Sequence, residues 1–194
     1  MSKDRLTAFT DGVLAIIVTI MVLELRPPEG TSLQDVAQLW PVFLSYVLSF
    51  IYVGIYWNNH HHFFQLVEGV NGAMLWANLH LLFWISLIPF ATAWMGEHEF
   101  APTPTALYGL SLLMAALAWL LLQRVILRSQ GAEGALRHAL GRDLKAKISP
   151  LMYLAGVGLA YVDTWLAGLL YAGVALMWLI PDPRVEHEIG TGAA

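Results

Sequence analysis

The sequence predicts an all-α, polytopic membrane protein that crosses the bilayer six times, with both termini on the cytoplasmic side. Three observations predict it. Of 194 residues, 58% are hydrophobic and 12% charged, which is too little polar surface to clothe a soluble globule of this length. The apolar residues gather into runs close to the roughly 20 residues that a spanning helix needs. The lysines and arginines fall on one side of those runs, where loops that resist translocation stay.

The first run, 9–25, ends in Glu24-Leu25-Arg26-Pro27-Pro28 without a small-residue cleavage site, so it is expected to be a retained first span. Runs 42–64, 72–95 and 105–127 supply the second to fourth spans, with Pro102 and Pro104 marking the loop before the fourth. The apolar stretch 148–180 is too long for one span and is interrupted by Asp163-Thr164, an N-cap-like pair. It divides into 148–162 and 165–180; both halves are short, and a re-entrant hairpin is the alternative reading. Pro181-Asp182-Pro183 stops the last run. Gly156 with Ala160, and Gly168 with Ala172, are small residues four apart that let helix backbones approach closely. Leu136, Leu140 and Leu144, set among arginines and lysines, have the spacing of an amphipathic helix at the headgroups, although a loop that only fixes topology accounts for them equally. These are helix boundaries and not linkers, so 1–194 is expected to form one six-helix domain.

Orientation follows from the basic residues. Lys3 and Arg5 precede the first span, Arg124, Arg128, Arg137, Arg142, Lys145 and Lys147 lie around the loop between the fourth and fifth, and Arg184 follows the sixth. Six spans place all of these on one side, leaving Arg26 as the exception, while Glu24, Glu29, Asp35, Glu97, Glu99 and Asp163 occupy the other. The expected location is therefore a cell membrane, multi-pass, with the lipid bilayer as the first partner.

Composition also excludes several classes. The net charge of -4, with basic residues set between apolar runs and no basic stripe interleaved with aromatics, argues against nucleic acid as a partner. The absence of cysteine removes disulfides, thiolate metal sites and a cysteine nucleophile. No Gly-x-Ser-x-Gly elbow or His-Glu-x-x-His pair is present, so an enzyme is not expected. His60, His61 and His62 are consecutive; neighbours on a helix point about 100° apart and do not converge on one ion, so no metal site and no cofactor is expected.

Ionisable and polar residues inside the spans are costly in hydrocarbon and hence informative. Arg5 and Asp11 flank the cytoplasmic end of the first span, either as interfacial charges or as part of a network with His60 or His61 and Asn78, because the cytoplasmic ends of the first three spans share one depth. The third run also holds His80, Ser86 and Thr92 around Pro89. Ile16, Thr19, Ile20 and Leu23 form a stripe at i, i+3, i+4 and i+7, with Glu24 at its outer end. In a helix this apolar many stripes can be drawn, and ordinary packing explains the pattern equally well.

Arg5-Leu6-Thr7-Ala8-Phe9-Thr10-Asp11-Gly12 resembles the Arg-x-x-x-Phe-Ser-Asp signature that opens the first helix of the transmembrane protein 175 family of potassium channels. Trp57-Asn58-Asn59-His60-His61, Asn78-Leu79 through Pro89-Phe90, and Ile180-Pro181-Asp182-Pro183 are similar to later landmarks of that family in the same order. Two positions depart from it: Thr10 stands where the family has serine and keeps the hydroxyl, and His62 stands where arginine is common. The resemblance implies a homotetramer in a prokaryotic inner membrane, with four copies of the first helix around a central pore and potassium as the permeant ion. It implies that Ile16 forms the principal constriction, Ile20 and Leu23 further layers outward, and Thr19 a supporting hydroxyl. It implies that Arg5, Phe9, Thr10 and Asp11, with His60 or His61 and Asn78, hold the pore helix to the second and third spans. No Thr-Val-Gly-Tyr-Gly filter occurs, so selection would rest on dehydration at an apolar ring, and discrimination should be moderate. Glu24, with Glu29 and Asp35 nearby, either concentrates cations at the outer mouth or merely solvates a loop. The competing reading is a proton-coupled transporter that uses Asp11, His60 and His61 as a relay.

Overall fold

The computed structural model describes residues 2–129 and 144–179. The described elements are all helical: α1 (Lys3–Leu23), α2 (Leu33–Gln38), α3 (Trp40–Gln65), α4 (Gly72–Ser86), α5 (Ile88–Glu97), α6 (Pro102–Ser129), α7 (Leu144–Leu159) and α8 (Thr164–Leu179). The expected headgroup helix with Leu136 and Leu140, and the Pro181-Asp182-Pro183 stop, lie outside the described residues.

Helix ends differ from hydrophobic-run ends for local reasons. The first helix begins at Lys3, six residues before the run that announced it, because Arg5 is a good helix former and the Asp4 carboxylate sits in the first turn, where the helix dipole favours it. Pro41 sits in the first turn of α3, where its missing N–H would have no partner anyway. The run 72–95 is two helices meeting at Leu87: Pro89 has no N–H to continue the α4 ladder, and it occupies the opening turn of α5. Asp163 acts as the cap expected of it, its Oδ1 accepting the N–H groups of Trp165 (2.8 Å) and Leu166 (3.2 Å) at the start of α8.

One element was not foreseen. Ser32 and Asp35 form a capping box that folds α2: the Asp35 N–H donates to Ser32 Oγ at 3.2 Å, while Asp35 Oδ2 accepts from the Ser32 N–H at 2.9 Å. The Ser32 hydroxyl and N–H hold the Asp35 carboxyl below its ordinary pKa.

Four described segments are long and apolar enough to cross a membrane: Lys3–Leu23, Trp40–Gln65, Gly72–Glu97 and Pro102–Ser129. Thr164–Leu179 is apolar but shorter. With 16 residues each, α7 and α8 extend about 24 Å, against a hydrocarbon core of about 30 Å.

The helices pack as a circuit in which α1 touches α4, α4 touches α6, α6 touches α7, α7 touches α8, α8 touches α3 and α3 returns to α1; α5 packs against α1, α3, α4 and α6. At one end Lys3 Nζ donates to the Gln65 carbonyl (3.4 Å) and Asn71 Nδ2 to Ser129 Oγ (2.9 Å), so the starts of α1 and α4 adjoin the ends of α3 and α6. At the other, Trp40, Phe100 and Trp165 form a ring cluster, with Trp40 and Trp165 stacked at 5.9 Å. The first end carries the described basic residues apart from Arg26, with Asp4 and Glu68. The second carries Glu24, Glu29, Asp35, Glu97, Glu99 and Asp163.

The small residues expected to bring helices together do so unequally. Tyr171, fully buried, lies in a slot whose walls are Gly109 of α6 and Gly156 of α7; a methyl group at either glycine would overlap its ring or hydroxyl. Gly168 has open space where its side chain would be. Gly109→Ala is therefore expected to destabilise the protein by about 1–3 kcal/mol, the usual effect of overpacking a tight core. Adding Tyr171→Phe, which removes the clashing hydroxyl, should recover part of that loss in thermal unfolding of the detergent-solubilised protein. Gly168→Ala should cost nothing measurable.

Candidate functional site

On α1 the neighbours bury Leu6, Thr10, Leu14, Ile17 and Met21, which recur every three or four residues and so form one face. The other face stays open on the single chain, with Phe9 52%, Ile16 59%, Ile20 42% and Leu23 77% exposed. Arg5 and Gly12 lie on the same open side. Thr19 Oγ1 donates to the Ile16 carbonyl at 2.8 Å, so its hydroxyl is satisfied within the helix. Glu24 is the C-cap of α1. A carboxylate there adds negative charge to the negative end of the helix dipole, which is unfavourable for the helix and attractive to a cation.

The helix is held by a buried chain of three side chains. Thr10 Oγ1 donates to the Leu6 carbonyl (3.0 Å) and accepts from Asn78 Nδ2 (2.9 Å). Asn78 Oδ1 is an acceptor only, so the 2.9 Å contact with His60 requires the proton on His60 Nε2. The His60 ring stacks on Phe64 at 4.3 Å, and Thr10, His60 and Asn78 are each at most 2% exposed. Every polar atom in this chain that faces another has a partner, which is what makes polar groups tolerable at this depth.

Asp11 is placed differently from the expected meeting with His60 or His61 and Asn78. Its Oδ1 accepts from Trp57 Nε1 at 3.1 Å, at the edge of an open groove of about 450 Å³ between α1 and α3, lined also by Ala15, Val18, Phe50 and Gly54. His61 stacks on Trp57 and bonds Gln65 at 2.9 Å, so it supports the Asp11 contact from behind. Arg5 and Phe9 are exposed, and neither has a polar or ring contact among the described residues. The sequence marks Trp57 as part of a family landmark but does not show that it is the donor to Asp11. The signal was present, one turn before His61 on the same helix face, but an indole donor is read first as an apolar side chain.

The remaining polar residues of the third run separate. Thr92 joins a buried hydroxyl cluster, with Ser49 Oγ 2.6 Å away and Tyr108 3.0 Å from Ser49, tying α3, α5 and α6 together. Ser86 bonds the Phe83 carbonyl, and His80 is exposed and meets Trp84 edge-on. No group of three or more potential metal ligands converges among the described residues.

A family model described as endosomal/lysosomal potassium channel TMEM175 matches residues 5–89. A protein described as a potassium channel from Chryseobacterium sp. (strain P1-3) is 52% identical over 189 residues, covering 97% of this chain and 98% of the relative. The chain belongs to the TMEM175 family. A second relative, described as a potassium channel from Chamaesiphon minutus (strain ATCC 27169 / PCC 6605), is 30% identical over 175 residues, covering 84% and 86% of the two chains. The fold agrees with a solved TMEM175 homologue: the crystal structure of a lysosomal potassium-selective channel homologue from Chamaesiphon minutus aligns with a TM-score of 0.82 at 27% identity, over 91% of this chain and 96% of that one. The TMEM175 model match begins at Arg5 and ends at Pro89, so it contains the open face of α1 and all three members of the Thr10–Asn78–His60 chain. Both of these relatives are described as channels.

Proposed function

We propose that this chain is one subunit of a homotetrameric, potassium-permeable cation channel of a prokaryotic inner membrane, crossing it six times with both termini cytoplasmic. Four copies of α1 surround the pore. Ile16 forms its principal constriction, Ile20 and Leu23 form outer layers, Thr19 supports the backbone between them, and Glu24 draws cations to the outer mouth. The observation that carries this reading is the open stripe Phe9, Ile16, Ile20 and Leu23 on a helix whose other face is sealed against α3, α4 and α5. An apolar ring of isoleucines selects by dehydration, since potassium sheds its water more easily than sodium, and it can close by dewetting. The charge segregation between the two ends supports the orientation.

The Thr10–Asn78–His60 chain favours a scaffold over a proton relay, because His60 Nε2 is tied to the Asn78 amide, which neither takes nor gives a proton and so interrupts any path from His60 to Thr10. Asp11, with Trp57 and His61 behind it, is assigned to the same scaffold, and Arg5 and Phe9 to contacts with neighbouring copies. Purified protein in liposomes loaded with potassium should pass a passive, non-saturating potassium flux, with native mass spectrometry of the same sample giving four subunits. An intact tetramer with no potassium flux would overturn the channel reading; saturable flux exchanged against protons would replace it with a carrier.

A further inference from the structure

A cavity away from α1 lies between α3, α6 and the α7–α8 hairpin, lined by Asn59, Ala116, Trp119, Ser149, Tyr153 and Trp178 among others. It offers the centre of a water molecule about 30 Å³. A bound water needs roughly 10–15 Å³ on this measure and a benzene-sized guest about 150 Å³, so two waters or one very small molecule fit and a ring does not. The walls of the cavity are almost wholly apolar, with polar groups at a few points. Trp119 is 5% exposed, and its indole N–H has no acceptor among the described residues.

The other polar groups narrow the chemistry. Ser149 Oγ is engaged, accepting from Trp178 Nε1 at 2.8 Å and donating to the Lys145 carbonyl at 2.7 Å. Asn59 Nδ2 donates to the Ile55 carbonyl at 2.8 Å, and its Oδ1 accepts from no described residue. Trp119 therefore asks for an acceptor and Asn59 for a donor, while the Tyr56 and Tyr153 hydroxyls, which also line the cavity, are able to serve a guest as either. A hydrocarbon supplies neither, and a carbonyl or ether supplies only the acceptor. A hydroxyl supplies both.

We propose that this cavity is a binding site for a hydroxylic molecule of water size, occupied by water and open to a short alcohol in its place. The hydroxyl accepts from Trp119 Nε1 and donates to Asn59 Oδ1, joining α6 to α3 beneath the α7–α8 hairpin. The site is independent of the pore and of the number of subunits.

The test uses the full-length protein labelled with ¹⁵N-tryptophan in detergent, with Trp119→Phe identifying the Trp119 indole signal among those of the eight tryptophans. The expected result is cross-relaxation between that indole proton and water, despite its burial. Methanol titration distinguishes the two occupants: a saturating shift of the Trp119 signal means that alcohol displaces the water, and a signal that keeps its water contact throughout means a site for water alone. Ala116→Leu, which fills the cavity from α6, should abolish the water contact while the Trp119 signal persists. An indole proton with neither a water contact nor a methanol shift, directed instead at the face of the neighbouring Tyr56 ring, would overturn the proposal. So would a water contact unaffected by Ala116→Leu.

Discussion

Ile16→Asn is expected to raise potassium conductance in reconstituted membranes about tenfold, the change given by lowering a barrier by about 1.4 kcal/mol, and to reduce the preference for potassium over sodium. Ile16 is 59% exposed on the single chain, midway along the open face of α1, so its side chain is not needed for packing within the subunit. In the proposed pore an amide at that position would hydrate the constriction, and a hydrated ring neither strips the ion of water nor closes by dewetting. Ile17, its neighbour, provides the contrast. At 3% exposure it belongs to the sealed face, and Ile17→Asn would bury an unpaired amide, so that variant should lose folded protein and not gain conductance. Single-channel recording of both variants under two-cation conditions checks the pair. Unchanged permeation in a folded Ile16→Asn protein would remove Ile16 from the proposed pore.

Asn78→Leu should have the largest effect on stability, because it breaks the buried chain at its centre. The His60 N–H then loses its acceptor and Thr10 Oγ1 loses a donor, both at no more than 2% exposure. An orphaned buried polar group costs about 1–3 kcal/mol, and His60 carries most of it because Thr10 still donates to the Leu6 carbonyl. The midpoint of thermal unfolding should fall, since the Asn78–Thr10 bond ties α4 to α1. His60→Leu in the same chain removes the orphaned donor and should recover part of the loss, a coupling that a double-mutant cycle measures directly. Additive losses in the double variant would mean that the three side chains do not act as a unit.

Much of this architecture was legible in the sequence, and the reasons differ from element to element. Long apolar runs announced the helices from Lys3, Trp40, Gly72 and Pro102, because hydrocarbon imposes a length and forbids charge. Asp163 announced the break between α7 and α8, because a carboxylate before an apolar run is a local device that needs no distant partner. The capping box at Ser32–Asp35 was equally local and equally readable, but it was obscured by the interest of its carboxylate as a mouth charge. The break at Leu87 was hidden inside a run of spanning length, since a proline that opens a new helix in line with the old one leaves hydropathy unchanged.

The supporting residues divide along the same line. Membrane depth nominated Asp11 as the partner of His60 or His61 and Asn78, and the family resemblance added Thr10, the residue before it at nearly the same depth. The two point about 100° apart, however, and only the packing of α1 against α3 and α4 assigns Thr10 to Asn78 and Asp11 to Trp57. The choice between His60 and His61 is of the same kind: one turns into the α3–α4 contact and the other toward Gln65.

By itself, then, the sequence determined that this is a helical membrane protein, where its long helices run, which end carries the positive charge, and that Ile16, Ile20 and Leu23 share a stripe. These follow from hydropathy, charge and helical period, which are properties of the chain alone. Only the tertiary structure decided that this stripe, among the many that an apolar helix offers, is the one left uncovered. The physical reason is that on a helix apolar all round, periodicity cannot rank the faces. Burial is decided by which neighbours arrive, and here α3, α4 and α5 take Leu6, Thr10, Leu14, Ile17 and Met21, leaving Ile16, Ile20 and Leu23 open.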